Sequence, residues 1–407
     1  MEKYKKYYYY ILFTTILYSC MNPQSSNKKE RIYFTFDEQP RMIVPITFND
    51  SIVANMFFDT AGDFIIDSTF LSSHPTITGN AIARKKNRTG SAWSKDQTYS
   101  RYYHIHPKIQ IGQHELKNSN YSVADWKGYM VAPNIDGMFR IPPTDSINVW
   151  FFNFEDHYME IFPSDHFKTP KGFMTFHLEM TKENNYKPTV TLPLKIKTDD
   201  GDTITLKRPY SIDTGTHRDI ILTNHAKELP FFSSKESTWI GWLNSYIKYC
   251  NTTASLYGIT LDSLRIYTID QKNNVNSSYF IGLNFLKRFN VYFDLKRKIM
   301  GLQPISKFQR IIDKHAKRYH IGFEQAGMAN GRFIINTIAT SKDNEFWTSG
   351  LQLGDEVLAA NGIPWKQITL KQKNNLFQKE KIIFDIIRNK RKMQIVVNIN
   401  KNNIIGD

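Results

Sequence analysis

One pattern occurs twice in this chain, and the repetition restricts its fold more than any other feature. In each half a hairpin leads into an apolar strand that ends in Asp-Thr: "NMFFDTAGDFII" carries Asp59-Thr60, and "PYSIDTGTHRDIIL" carries Asp213-Thr214. Each Asp-Thr is followed by an apolar-X-Gly step, "NIDGMF" with Gly137 and "YFIGLNFL" with Gly282. After each step comes a pair of strands closing the unit, "VWFFNFEDHYMEIFP" and "FNVYFDLKRKIMGLQP". A duplicated β unit of about 130 residues implies a pseudo-twofold molecule with one Asp-Thr from each half.

Between these landmarks the chain consists of short β-branched and aromatic runs broken by turn residues, such as "RMIVPITFN", "SIVANMFFDT" and "YHIHPKIQIG". They read as strands at hairpin spacing, and "DDGD" before Thr203 is a hairpin signal. The first three hundred residues are therefore expected to be mainly β. With 407 residues, 41% hydrophobic and 14% aromatic, the chain can fill two or three cores. A formal charge of +15 fits nucleic acid or an anionic surface, but the Lys and Arg are scattered and no nucleic-acid motif accompanies them, so a solvated basic surface is expected. Cys20 and Cys250 are the two cysteines, which excludes a disulfide framework and leaves Cys250 as a buried free thiol if Cys20 is lipidated.

An acid at the end of an apolar strand costs several kcal/mol or stays protonated, so Asp59 and Asp213 require a use for their burial. The chain resembles the bilobal pepsin/retropepsin-like aspartic proteases over roughly residues 30 to 305. Asp213-Thr214-Gly215-Thr216 matches that family's loop in full, and Ile135-Asp136-Gly137 has the form of its glycine step. The resemblance implies that Asp59 and Asp213 form a catalytic pair, needing no metal and no cofactor. It further implies that Thr60 and Thr214 cross-brace the loops, and that Gly62, Gly215, Gly137 and Gly282 allow close backbone approach. In the first lobe Ala61 stands where the family has glycine, with Gly62 displaced by one position. Its methyl fits if the backbone stays in an ordinary region; otherwise it crowds the site and leaves a degenerate lobe that binds without cutting.

The family also closes a hairpin flap over its substrate. Its tip is expected within "RTGSAWSKD", with Trp93 either covering bound peptide or packing on the lobe. In the second lobe Trp239 and Trp242 are expected as core or lobe-packing residues, with subsite walls as the alternative. His104 and His106 share a strand face, but no third ligand at metal spacing accompanies them, so hydrogen-bonded strand histidines are expected. Asp63 lies in the loop after Asp59, where it caps a turn or meets substrate.

Both ends of the chain have their own signals. Residues 1–20 combine the basic "MEKYKK" with an apolar stretch too short for a membrane span and end in Leu17-Tyr18-Ser19-Cys20. That ending resembles the lipobox of bacterial lipoproteins, which implies lipidation at Cys20; a plain signal peptide or uncleaved anchor is the alternative. Residues 21–29 read as a polar tether, 30–165 as the first lobe, 166–305 as the second and 306–317 as a connector. Residues 318–400, with Gly354-Asp355-Glu356-Val357-Leu358 and Asn361-Gly362, resemble a small α+β PDZ domain. In it Ile321-Gly322-Phe323 occupies the place of the loop that holds a peptide carboxy terminus; packing against the lobes is the other use.

The expectation is a mainly β, lipid-anchored monomer of the bacterial cell envelope, facing the periplasm or the cell surface. It would act on polypeptides as an aspartic endopeptidase, with a C-terminal peptide ligand on the PDZ unit and no nucleic acid. The alternatives are a degenerate polypeptide-binding protein and an envelope scaffold that uses its basic surface.

Overall fold

The computed structural model describes residues 30–37, 41–77, 85–89, 98–103, 107–116, 121–124, 126, 134–182, 186–197, 201–223, 239–241, 245–270, 278–309, 321–326, 332–339, 344–368, 372, 375–376 and 379–399. Cys20, Trp93, His104, His106 and Trp242 lie outside them, as do the targeting segment, the tether and most of the connector. The chain is mainly β, with two lobes related by a pseudo-twofold and a small additional domain.

The first lobe starts from the hairpin Met42–Phe48 and Ile52–Phe58. Asn49 and Asp50 both take positive φ, 48° and 64°, in the three-residue turn between the paired Phe48 and Ile52. The outgoing arm ends at Asp59. Gly137–Phe139 then threads between this arm, to which it is parallel, and Ile65–Asp67, to which it is antiparallel. The second lobe repeats the topology. The hairpin Thr189–Lys197 and Thr203–Asp213 supplies the arm, and Ser278–Gly282 threads between it and Ile220–Thr223 with the same two directions. The outer neighbours match as well, since Tyr121–Ala124 runs parallel to Ile65–Asp67 and Ile259–Asp270 runs parallel to Ile220–Thr223.

Register corrects one expected equivalence. Asp213 pairs with Gly282, but Gly137 pairs with Met56, three residues before Asp59. The residue at Gly282's place in the first lobe is Arg140, because Phe139 pairs with Phe58 as Ile281 pairs with Ile212. Loop length explains why a side chain is tolerated there. Ile212 and Ile220 both pair with Ile281, whereas Phe58 pairs with Phe139 and Ile65 already with Met138, so the first loop closes two residues sooner. In the longer loop the backbone folds over the threading strand, and a Cβ on Gly282 would lie 2.2 Å from the Arg218 carbonyl oxygen. Gly137 is required for another contact: its Cβ would lie 2.1 Å from the Ile65 carbonyl oxygen.

The closing strands of both halves form one antiparallel sheet beneath the lobes. Its order is Ile32–Tyr33, Tyr158–Pro163, Asn148–Asn153, Phe289–Asp294, Ile299–Pro304, Met174–Glu179. The central pairing, Phe151 with Tyr292, joins the halves. Phe58, Phe152 and Phe293 pack in series through this region, placing the core directly under the first aspartate. Gly301 lies under the ring of its cross-strand partner Tyr292, with room for no side chain, since a Cβ would sit 2.0 Å from ring carbon Cε1. Gly301→Ala should therefore destabilise the protein by roughly 1–3 kcal/mol through overpacking, read as a lower urea midpoint at unchanged slope.

The additional domain has its own core, with Ile335, Ile338, Phe346, Val357, Trp365, Phe384 and Ile386 buried together. Asp355, buried at the turn before Glu356–Ala360, accepts from Arg388 Nε at 2.7 Å and from the Gln352 N–H at 2.8 Å. Asn361 and Gly362 form the left-handed turn expected after that strand. The second lobe reaches this sheet through Trp239–Gly241, which pairs with Thr337–Ala339. Ile321-Gly322-Phe323 opens the strand Ile321–Ala326, with a register shift between Gly322 and Phe323.

Candidate active site

Asp59 and Asp213 end equivalent strands, and their loops meet across the pseudo-twofold. The meeting is fixed by reciprocal threonines. Thr60 Oγ1 donates to the Ile212 carbonyl at 2.7 Å and accepts from the Thr214 N–H at 3.1 Å. Thr214 Oγ1 donates to the Phe58 carbonyl at 2.9 Å and accepts from the Thr60 N–H at 3.0 Å. Both threonines are buried, so each hydroxyl needs both a donor and an acceptor, and each finds them on the opposite loop. The brace grips the residue immediately before each aspartate, which fixes where the carboxyls point.

The carboxyls themselves are half-buried and hydrogen-bonded to each other. Asp59 Oδ1 accepts from the Ala61 N–H at 2.9 Å, and Asp213 Oδ1 accepts from the Gly215 N–H at 3.0 Å. Ala61 therefore does what Gly215 does, and it has no positive φ that would penalise its methyl. The displaced glycine has a separate contact. A Cβ on Gly62 would lie 2.9 Å from Asp59 Cγ and 2.8 Å from Met138 Sδ, so Gly62 lets Asp59 lie flat against its own loop. Gly215 does the same from across the twofold, where a Cβ would come within 2.6 Å of Asp59 Cγ.

Burial and the Asp213 charge push the Asp59 carboxyl up to about 7, against the pull of the Ala61 N–H and the Lys187 ammonium. Asp213 is raised too, chiefly by burial, with the Gly215 N–H, Lys187 and the hydrogen bond from Asp59 acting in the other direction. Two acids in contact cannot both ionise cheaply, so the pair holds one proton over a range that extends toward neutral pH.

This proton makes stability depend on pH. An unfolded aspartate releases it near 3.8 and folded Asp59 near 7, so between these values the folded state binds more protons and stability falls as pH rises. Discounted by half for solvent reach, the loss is about 2 kcal/mol between pH 4 and 7. Asp59→Asn should flatten that part of the slope in urea unfolding series across pH.

Of the residues expected from sequence, Asp59, Thr60, Ala61, Gly62, Asp213, Thr214 and Gly215 converge here, and Gly282 supports the second loop from behind. Gly137 does not hold Gly282's position, Asp63 is exposed on the first loop, and Ile321-Gly322-Phe323 belongs to the additional domain. Cys250 is buried in the core of the lobes. Sequence reading missed Met138, packed against Gly62, and Lys187, whose charge bears on both carboxyls. Lys187 had one readable signal: it precedes the second hairpin as Arg41 precedes the first.

No protein-family model matches the chain, and no curated protein matches it. Among solved structures it is similar to the aspartic proteinase from Irpex lacteus, at 12% identity and a TM-score of 0.45, over 68% of this chain and 97% of that one. So distant a likeness adds nothing to the chemistry, which rests on the paired carboxyls.

Proposed function

We propose that this chain is an aspartic endopeptidase that hydrolyses peptide bonds with a water activated between Asp59 and Asp213. The observation that carries the reading is the meeting of two carboxyls on reciprocally braced, pseudo-symmetric loops, where burial and the Asp213 charge raise Asp59 to about 7. The ionised member takes a proton from the water as its oxygen attacks the peptide carbonyl. The protonated member donates to the oxyanion as it develops, and the proton finally passes to the departing amine. The chain's own backbone N–H groups at Ala61 and Gly215 hold the carboxyls in place throughout.

The amino-terminal sequence supports export and lipid attachment at Cys20, with the protein facing the periplasm or cell surface of a bacterium. Among the described residues no helix is long and apolar enough to cross a membrane. The PDZ-like sequence of residues 318–400 supports recruitment of polypeptides by their carboxy termini at Ile321-Gly322-Phe323. The test is incubation of purified residues 21–407 with a mixed peptide library from pH 4 to 8, products identified by mass spectrometry. New termini at defined peptide bonds are the expected result. No cleavage at any pH, or cleavage that survives substitution of both aspartates, overturns the reading.

A further inference from the structure

Lys187 stands at the start of the second lobe's hairpin, and strand register fixes its place. Thr189 pairs with Ser211, and the Ile212 N–H donates to the Pro188 carbonyl at 2.7 Å. Continuing this antiparallel register by two residues sets Lys187 opposite Asp213. Pro188 enforces the continuation, because a residue before proline is held extended. Opposed residues of an antiparallel pair project to the same face, so the Lys187 stem leaves on the side of the Asp213 carboxyl.

The first lobe builds the same arrangement and neutralises it. Ile43 pairs with Phe57, so Arg41 falls opposite Asp59. Its guanidinium is engaged by Asp37, with Nε at 2.8 Å and Nη2 at 2.7 Å from Oδ2, and its own N–H donates to Asp37 Oδ1. Lys187, half-buried, instead acts on the pair: its ammonium draws both Asp59 and Asp213 toward their ionised forms.

The other charged groups around the loops are differently placed. Asp219 is paired with Arg288, and Arg218 lies over the Tyr267 ring at 4.9 Å. Asp63 is exposed, while His217 and Arg140 are half-buried on the second loop and on the threading strand's exit. Among the described residues Lys187 is the cation whose charge weighs on both carboxyls.

We propose that Lys187, from its place opposite Asp213, is the positioning residue that keeps the Asp59–Asp213 pair singly charged, the form that activates water. This rests on reading the two carboxyls as a proton-sharing pair. It requires a charge at residue 187 and no contact with substrate.

The test is carboxyl carbon NMR of protein labelled at aspartate Cγ, with Asp59→Asn and Asp213→Asn assigning the pair, beside kcat/KM across pH for a cleaved peptide. In Lys187→Met the titrations of the pair should move to higher pH by about half a unit to one unit, and Lys187→Arg should restore them. Both limbs of the activity profile should move with them, lowering kcat/KM at acid pH roughly three- to tenfold while the maximum changes little. Titrations that overlay the wild type in Lys187→Met, or an equal loss of activity at every pH, overturn the proposal. Titrations that move in a protein that cleaves nothing leave the role of Lys187 standing and remove the proteolytic reading. A wild type that cleaves peptides with titrations indifferent to residue 187 does the reverse.

Discussion

Asp213→Asn should lower kcat/KM for any cleaved peptide by roughly 10³- to 10⁴-fold, and Asp59→Asn should do the same. An amide neither accepts the proton of an attacking water nor gives one to an oxyanion, so each substitution removes one half of the exchange. The pair acts as a unit, so the double variant should be little worse than either single one. KM should change little, because the carboxyls serve the transition state more than the bound peptide. The fold should survive, since the threonine brace holds the loops through backbone carbonyls and N–H groups that an asparagine leaves in place. Steady-state kinetics with melting curves on the same samples decide the matter. Activity within tenfold of wild type in either variant would sink the mechanism.

The second large effect is asymmetric. Gly215→Ala should reduce kcat/KM by at least about a hundredfold, while Ala61→Gly should change it by less than about threefold. A Cβ at residue 215 would come within 2.6 Å of Asp59 Cγ, and the short aspartate has no flexible end with which to yield. It must rotate out of the shared hydrogen bond, at a stability cost of roughly 1–3 kcal/mol. Ala61 already carries its methyl in unstrained backbone and makes the same N–H contact as Gly215. Equal losses in the two variants would mean that the loops are not placed as described.

The duplication in the sequence was enough to foresee two β lobes with one Asp-Thr from each, and the resemblance to a known family supplied the rest of the seven residues from Asp59 to Gly62 and Asp213 to Gly215 that converge. It misled at Gly137, because an apolar-X-Gly string shows composition and not register. Loop length decides register there, and the two-residue difference shows only when pairings are known. Ala61 was ambiguous for a similar reason: whether a methyl is tolerated depends on φ and on which atoms lie above it. Lys187 was hidden because its partner is across a hairpin twenty-six residues away in sequence, although the Lys-Pro before a strand hinted at an enforced direction. In the additional domain, Asn361-Gly362 was readable because a left-handed turn demands those residue types locally.

The sheet beneath the lobes has a consequence for assembly. Its central pairing sets Asn148–Asn153 of one half antiparallel to Phe289–Asp294 of the other, which is the geometry a strand adopts beside its own copy across a true twofold. A half-molecule ending after Pro163 would carry the whole of one such interface: the strand, the aromatic side chains beneath it, and a threonine ready to brace its counterpart. Expressed alone, it holds what is needed to self-associate into a symmetric dimer with two copies of Asp59 at the centre. The fused chain differs in that its halves are free to diverge, as they have in loop length, in Arg140 standing where the second half has Gly282, and in the two cations opposite the aspartates.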